Sequence, residues 1–144
     1  MRQKTYMILL VDHKKARMFT LLNGAVEQYK EFVNGHVPQR VHEINKAWMR
    51  QDKIFRHIEN HLHRHLQQVA QAAQIFAKEN HISGIILGGH KELFAKVKKH
   101  LPYTLSRKVK GTFVTELKGP FNEIVRRAKL LITQLEAKKE KKYV

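Results

Sequence analysis

The chain has 144 residues, and its 28 Lys and Arg stand against 12 Asp and Glu, a net charge of +16 before any of ten histidines is protonated. The absence of cysteine excludes a disulfide framework and thiolate chemistry, and an apolar share of 42% argues against wholesale disorder. A positive field of this size attracts polyanions and gains affinity by counterion release, so RNA or a ribonucleoprotein is favoured over a mere solubility device or basic tail.

The length suits one domain, read as 1–137 with a basic tail at 138–144. Residues 5–12 are rich in Ile, Leu and Val and predict a buried strand. That run is too short for a signal-peptide core or a membrane span, which predicts a cytoplasmic protein without membrane contact. A turn at His13-Lys14-Lys15 leads to a second strand at 16–22. Asn23-Gly24 is a two-residue hairpin signal, because both positions tolerate positive φ, and the third strand follows at 26–33. Residues 34–50 show no clean period, contain Gly35 and Pro38, and predict a loop.

Ile54, Ile58, Leu62, Leu66, Val69, Ala73 and Phe76 recur at spacings of three and four, which predicts a long helix over 52–79. A short buried strand at 84–88 ends in Gly88-Gly89. A helix over 91–100 turns Leu93, Phe94 and Val97 inward and stops at Pro102. A last strand covers 109–117, and Pro120 suits the first turn of a final helix from Phe121 whose inner stripe is Ile124, Ala128, Leu131 and Leu135. The order βββαβαβα predicts one mixed five-stranded α/β sheet with helices on its faces, the order of ribonuclease H-like folds. The third strand is a candidate exposed edge that could pair in a dimer, but the sequence does not fix an oligomeric state.

A ribonuclease H-like nuclease needs several carboxylates converging on two metal ions. Asp12 ends the first strand and Glu59 lies on the long helix, but the central strand and its exit offer no acid. Asp12 therefore reads as a turn cap. His57, His61 and His65 recur every four residues, a spacing that can chelate zinc, but no carboxylate or cysteine completes a shell at a telling spacing. They read as a helix edge, with no metal or cofactor implied. Gly88-Gly89-His90 could present amides to an anion, or simply let strand and helix pack closely.

Two stretches carry the expected RNA contacts. Residues 89–118 hold a net +6, with Lys91, Lys96, Lys98, Lys99, Arg107, Lys108 and Lys110 crowded together. In the predicted loop, Arg40, Lys46 and Arg50 surround Trp48, the only tryptophan, and RNA can use such a pairing by stacking and by charge. Trp48 folding back onto the core is the competing reading.

The run Ile8-Leu9-Leu10-Val11-Asp12-His13-Lys14-Lys15-Ala16-Arg17-Met18-Phe19 with its Asn23-Gly24 turn, and Ile85-Ile86-Leu87-Gly88-Gly89-His90-Lys91-Glu92-Leu93-Phe94, carry a resemblance. With Leu101-Pro102 and Val109-Lys110-Gly111 at the same spacing, the chain resembles the middle domain of archaeo-eukaryotic peptide-chain release factors and of Pelota. It is closer still to small bacterial relatives, some labelled host-attachment proteins. The resemblance implies a stand-alone middle domain, related to translation release and rescue factors, that binds the ribosome or tRNA. In release factors the loop after the third strand carries Gly-Gly-Gln, whose glutamine helps water attack peptidyl-tRNA. Here that loop reads Asn34-Gly35-His36-Val37-Pro38-Gln39-Arg40. Gln39 is the one catalytic candidate, for peptidyl-tRNA hydrolysis. No glycine pair precedes it, and Pro38 and Val37 stiffen the backbone, which favours non-catalytic binding. A surface-interaction protein is a further alternative.

Overall fold

The structure is a computed structural model that describes the backbone of residues 4–33 and 47–142, with side chains described for 4–32 and 60–138. Three strands, β1 (Thr5–Val11), β2 (Lys15–Leu22) and β3 (Ala25–Val33), form an antiparallel meander. Helix α1 (Ala47–Asn80) then leads to β4 (Gly84–Gly89), which pairs parallel to β1. A 3₁₀ turn (Lys91–Leu93), α2 (Phe94–His100) and α3 (Tyr103–Ser106) connect to β5 (Val109–Val114), parallel to β4, and α4 (Phe121–Lys142) closes the fold. The sheet order is β3-β2-β1-β4-β5, the mixed five-stranded sheet expected.

Period-2 alternation along β1 splits the interior in two. Met7, Leu9 and Val11 face α1 and α2 with Leu66, Val69, Ala73, Phe76, Val97 and Leu105. Ile8 and Leu10 face α4 with Phe19, Ile86, Ile124 and Ala128. A side chain as fully buried as Leu9 or Ile8 contributes about 1.5–3 kcal/mol over leaving it in water. β1 and β4 are buried on both faces, which explains their unbroken apolar runs. β3 is the expected edge strand, with Val26 and Tyr29 exposed. Asn23 (φ 53°) and Gly24 (φ 81°) make the predicted hairpin turn.

Three boundaries move by three residues or more from the sequence reading, and one helix is new. Helix α1 starts at Ala47 instead of 52, so Trp48 and Arg50 belong to its first turns and not to a loop. Ala47 to Gln51 contain no breaker and are mostly good helix formers; Gly35 and Pro38 lie further upstream. Helix α3 was not expected. It forms because Pro102, at its N-cap, offers a carbonyl to the amides of Leu105 and Ser106, both at 2.9 Å. β5 ends at Val114, and Leu117 is buried beyond it, in the turn before α4. The last helix runs on to Lys142, through the lysines read as a tail.

Across the α4 face, Tyr6 donates a 2.5 Å hydrogen bond to Glu136, which also pairs with Lys4 at 3.1 Å. Burial, and then the Glu136 carboxylate, push the Tyr6 hydroxyl well above its usual pKa, so it stays a donor.

Candidate nucleic-acid interface

Helix α2 carries three of the exposed cations. Val97 is buried, so with about 100° between successive residues Lys96 and Lys98 flank it and Lys99 points outward. All three are exposed, as are Lys91 before the helix and Arg107 after α3. Lys110 is also exposed; it is the extra residue at the bulge where β4 and β5 slip register. Among the described residues no carboxylate lies within ion-pair distance of these six. Lys108 is different: it is half-buried, and its Nζ lies 3.4 Å from the Ile82 carbonyl, so it ties the entry to β5 to the turn between α1 and β4.

The structure adds an aromatic that the sequence reading missed. Tyr103 is 77% exposed, with the Arg107 guanidinium 6.0 Å from its ring centroid. Leu101 and Leu105 turn inward on either side of it, a spacing that leaves Tyr103 outside. Of the other expected contacts, Gln39, Arg40 and Lys46 lie outside the described residues. Trp48 and Arg50 are placed on α1 by backbone alone.

Of the histidine series, the side chains of His61 and His65 are described, and among the described residues they belong to no converging group of three donors. His65 is fully buried, stacked at 21° on Phe32, with Nε2 2.9 Å from the Asp12 carbonyl. A carbonyl only accepts, so Nε2 carries the proton and donates. Nδ1 is then a lone-pair nitrogen without a hydrogen-bond partner. Burial lowers the His65 pKa against the opposing pull of the Asp12 carbonyl, which keeps the ring neutral. His61 is half-buried, and the side chain of His57 lies outside the described set.

A second cluster lies at the C-terminal ends of the neighbouring parallel strands β1 and β4. A cleft of about 460 Å³ is lined by Asp12, His13, Lys14, Lys15, His90 and Lys118, with Glu116 and Leu117. Asp12 is the turn cap expected: its Oδ1 accepts from the amides of Lys14 (2.8 Å) and Lys15 (2.6 Å). The glycine pair serves close packing. A Cβ on Gly89, whose φ is +122°, would sit 2.2 Å from the Val11 carbonyl oxygen. That approach seats His90 across from His13, their rings 5.6 Å apart. Among the described residues, His13, His90 and Glu92 are the one His/Cys/Asp/Glu group whose donor atoms converge, all within 4.8 Å of one another.

Residues 2–131 match the bacterial archaeo-eukaryotic release factor family 10. The chain belongs to that family. Release factor family 10 membership agrees with the fold. The crystal structure of the archaeal translation termination factor aRF1 is similar with a TM-score of 0.57 at 17% identity, over 96% of this chain and 42% of that one. A second archaeal protein is similar with a TM-score of 0.52, also at 17% identity, over 96% and 39%. The family 10 chain thus spans about two fifths of the length of these structures. No curated protein matches it. The family is therefore a release-factor-like one, and the fold is shared with part of the archaeal termination factor. Among the described residues no helix is long and apolar enough to cross a membrane.

Proposed function

We propose that this family 10 protein binds the ribosome or tRNA in the cytoplasm, as a non-catalytic relative of release and rescue factors. The observation that carries this reading is the set of exposed cations on and around α2, Lys91, Lys96, Lys98, Lys99 and Arg107, which are free of described carboxylate partners, with exposed Tyr103 beside Arg107. Cations neutralised within the protein release no counterions on binding; these are available to do so. Tyr103 adds a flat face on which an unstacked base can lie. Family membership supplies the translation context.

The test is sedimentation of the protein with purified ribosomes at low and high salt, beside filter binding to tRNA. Association at low salt that is released at high salt is the expected result. A Lys98→Glu/Lys99→Glu variant should bind more weakly at low salt and come off at lower salt. Lys108 is left intact because its contact with Ile82 is structural. Equal binding by wild type and variant, or no binding to either RNA at low salt, would overturn the reading.

A further inference from the structure

We propose that His13, His90 and Glu92 bind a divalent transition-metal ion of the zinc class at the C-terminal ends of β1 and β4. Two imidazoles and one carboxylate are a donor set found in open zinc sites, with the fourth position left to water or another ligand. The three donors come from three pieces of chain: the turn after β1, the residue that follows β4, and the 3₁₀ turn. Metal bonds of about 2.0–2.2 Å put neighbouring tetrahedral donors roughly 3.5 Å apart. His90 Nδ1 and Glu92 Oε1 are already 3.8 Å apart, and the whole set lies within 4.8 Å. Side-chain rotation of about an ångström completes the geometry.

The backbone under both histidines is held in place. Asp12 fixes the turn that carries His13 through two amides, and His65 donates to the Asp12 carbonyl from the α1 layer. His65 thus supports the turn from beneath and is not a ligand. Gly89 lets β4 approach Val11, and the His90 amide reaches the Val11 carbonyl at 3.5 Å. With Nδ1 of His90 turned to the ion, its Nε2 faces the Glu116 carboxylate at 3.5 Å. A carboxylate on the far nitrogen of a ligating histidine fixes its tautomer and raises its basicity, a common feature of zinc sites. Lys14, Lys15 and Lys118 share the cleft and lower its affinity for a bare cation. They also favour an anion in the open position.

Isothermal titration of the purified protein with zinc chloride, after chelator treatment and in a buffer free of phosphate, tests this. Cobalt(II) absorption then reports a tetrahedral site. The expected result is one zinc per chain. Affinity should fall at least about tenfold in Glu92→Gln and beyond detection in His13→Ala/His90→Ala. Glu92 is exposed, so its variant keeps the test meaningful if the double variant fails to fold. The control is His63→Ala/His100→Ala, because His100 Nε2 and His63 Nδ1 lie 3.0 Å apart on the surface and could chelate by themselves. Stoichiometric binding that survives the His13/His90 variant, that disappears only in the His63/His100 variant, or that is never tighter than millimolar would overturn the proposal. The readout is on the isolated protein, so it stands or falls independently of ribosome association.

Discussion

Replacing Gly89 by alanine should destabilise the protein far more than the same change at its neighbour Gly88, although both residues are buried in β4. At Gly88 the new methyl would meet Leu10 Cδ2 at 2.5 Å and the Phe113 ring at 2.9 Å. These are ends of side chains that can rotate, and overpacking of that kind costs about 1–3 kcal/mol. At Gly89 the obstacle is the Val11 carbonyl oxygen at 2.2 Å, with the backbone carbon and nitrogen of the same residue at 3.1 Å. That oxygen belongs to β1, which is paired to β2 on one side and β4 on the other, so it cannot retreat without disturbing the ladder. The φ of +122° adds about 1–3 kcal/mol for a residue with a Cβ. Together these put Gly89→Ala at roughly 3–5 kcal/mol, the range of the severest single substitutions. Urea unfolding followed by circular dichroism measures both variants. A Gly89→Ala protein within 1 kcal/mol of wild type, or one more stable than Gly88→Ala, would refute the reasoning.

Other outcomes follow from the same geometry. Asp12→Ala removes the acceptor for two amides and should cost about 1–2 kcal/mol in the same urea assay, comparable with losing a helix cap. His65 has a folded pKa below 6.5, so its contribution is fully present above pH 6.5. It is lost as the pH falls from there through the folded pKa, at up to about 1.4 kcal/mol per unit. His65→Gln should remove that slope, so the stability difference between wild type and variant narrows from pH 7.5 to 5.5; a constant difference would contradict the neutral buried ring. Tyr103→Ala should leave stability within about 0.5 kcal/mol of wild type and weaken RNA binding by about 1–3 kcal/mol in filter binding. If Lys98 and Lys99 each meet a phosphate, Lys98→Glu/Lys99→Glu should reduce the slope of log K against log salt by at least about 0.7 per residue.

Much of the fold is legible because the signals are local. Asn23-Gly24 needs positive φ and takes it, and the stripe Leu62, Leu66, Val69, Ala73, Phe76 is half-buried or buried throughout. The early start of α1 is not legible from that stripe, since Ala47 to Arg50 lie before its first apolar member. The burial of His65 was within reach: it sits three residues after Leu62 and four before Val69, on the apolar face itself. Its spacing of four from His61, and eight from His57, sets against that a row of like side chains along the helix. The convergence of His13 and His90 is of another kind. Each follows a strand, but only the parallel pairing of Val11 with Gly89 brings them together, and no local pattern encodes that partner choice. Tyr103 was hidden because Pro102 reads as a stop, while here it also starts the next helical turn.

The pairing of β1 with β4 also sets an order of events at the ribosome that makes this protein. Thr5 to Val33 can form the meander as soon as they emerge, because β1, β2 and β3 follow one another in the chain. The other edge of β1 must wait: Tyr6 is matched to Gly84, and all of α1 is made in between. Until then β1 presents an open row of amides and carbonyls, with apolar side chains on both faces, an invitation to pair with the wrong strand. Helix α1 emerges next and can cover one face of the sheet, whereas α4, which covers the other, is made only after all five strands. The strand at the centre of the finished sheet is thus an edge strand while the chain is being synthesised.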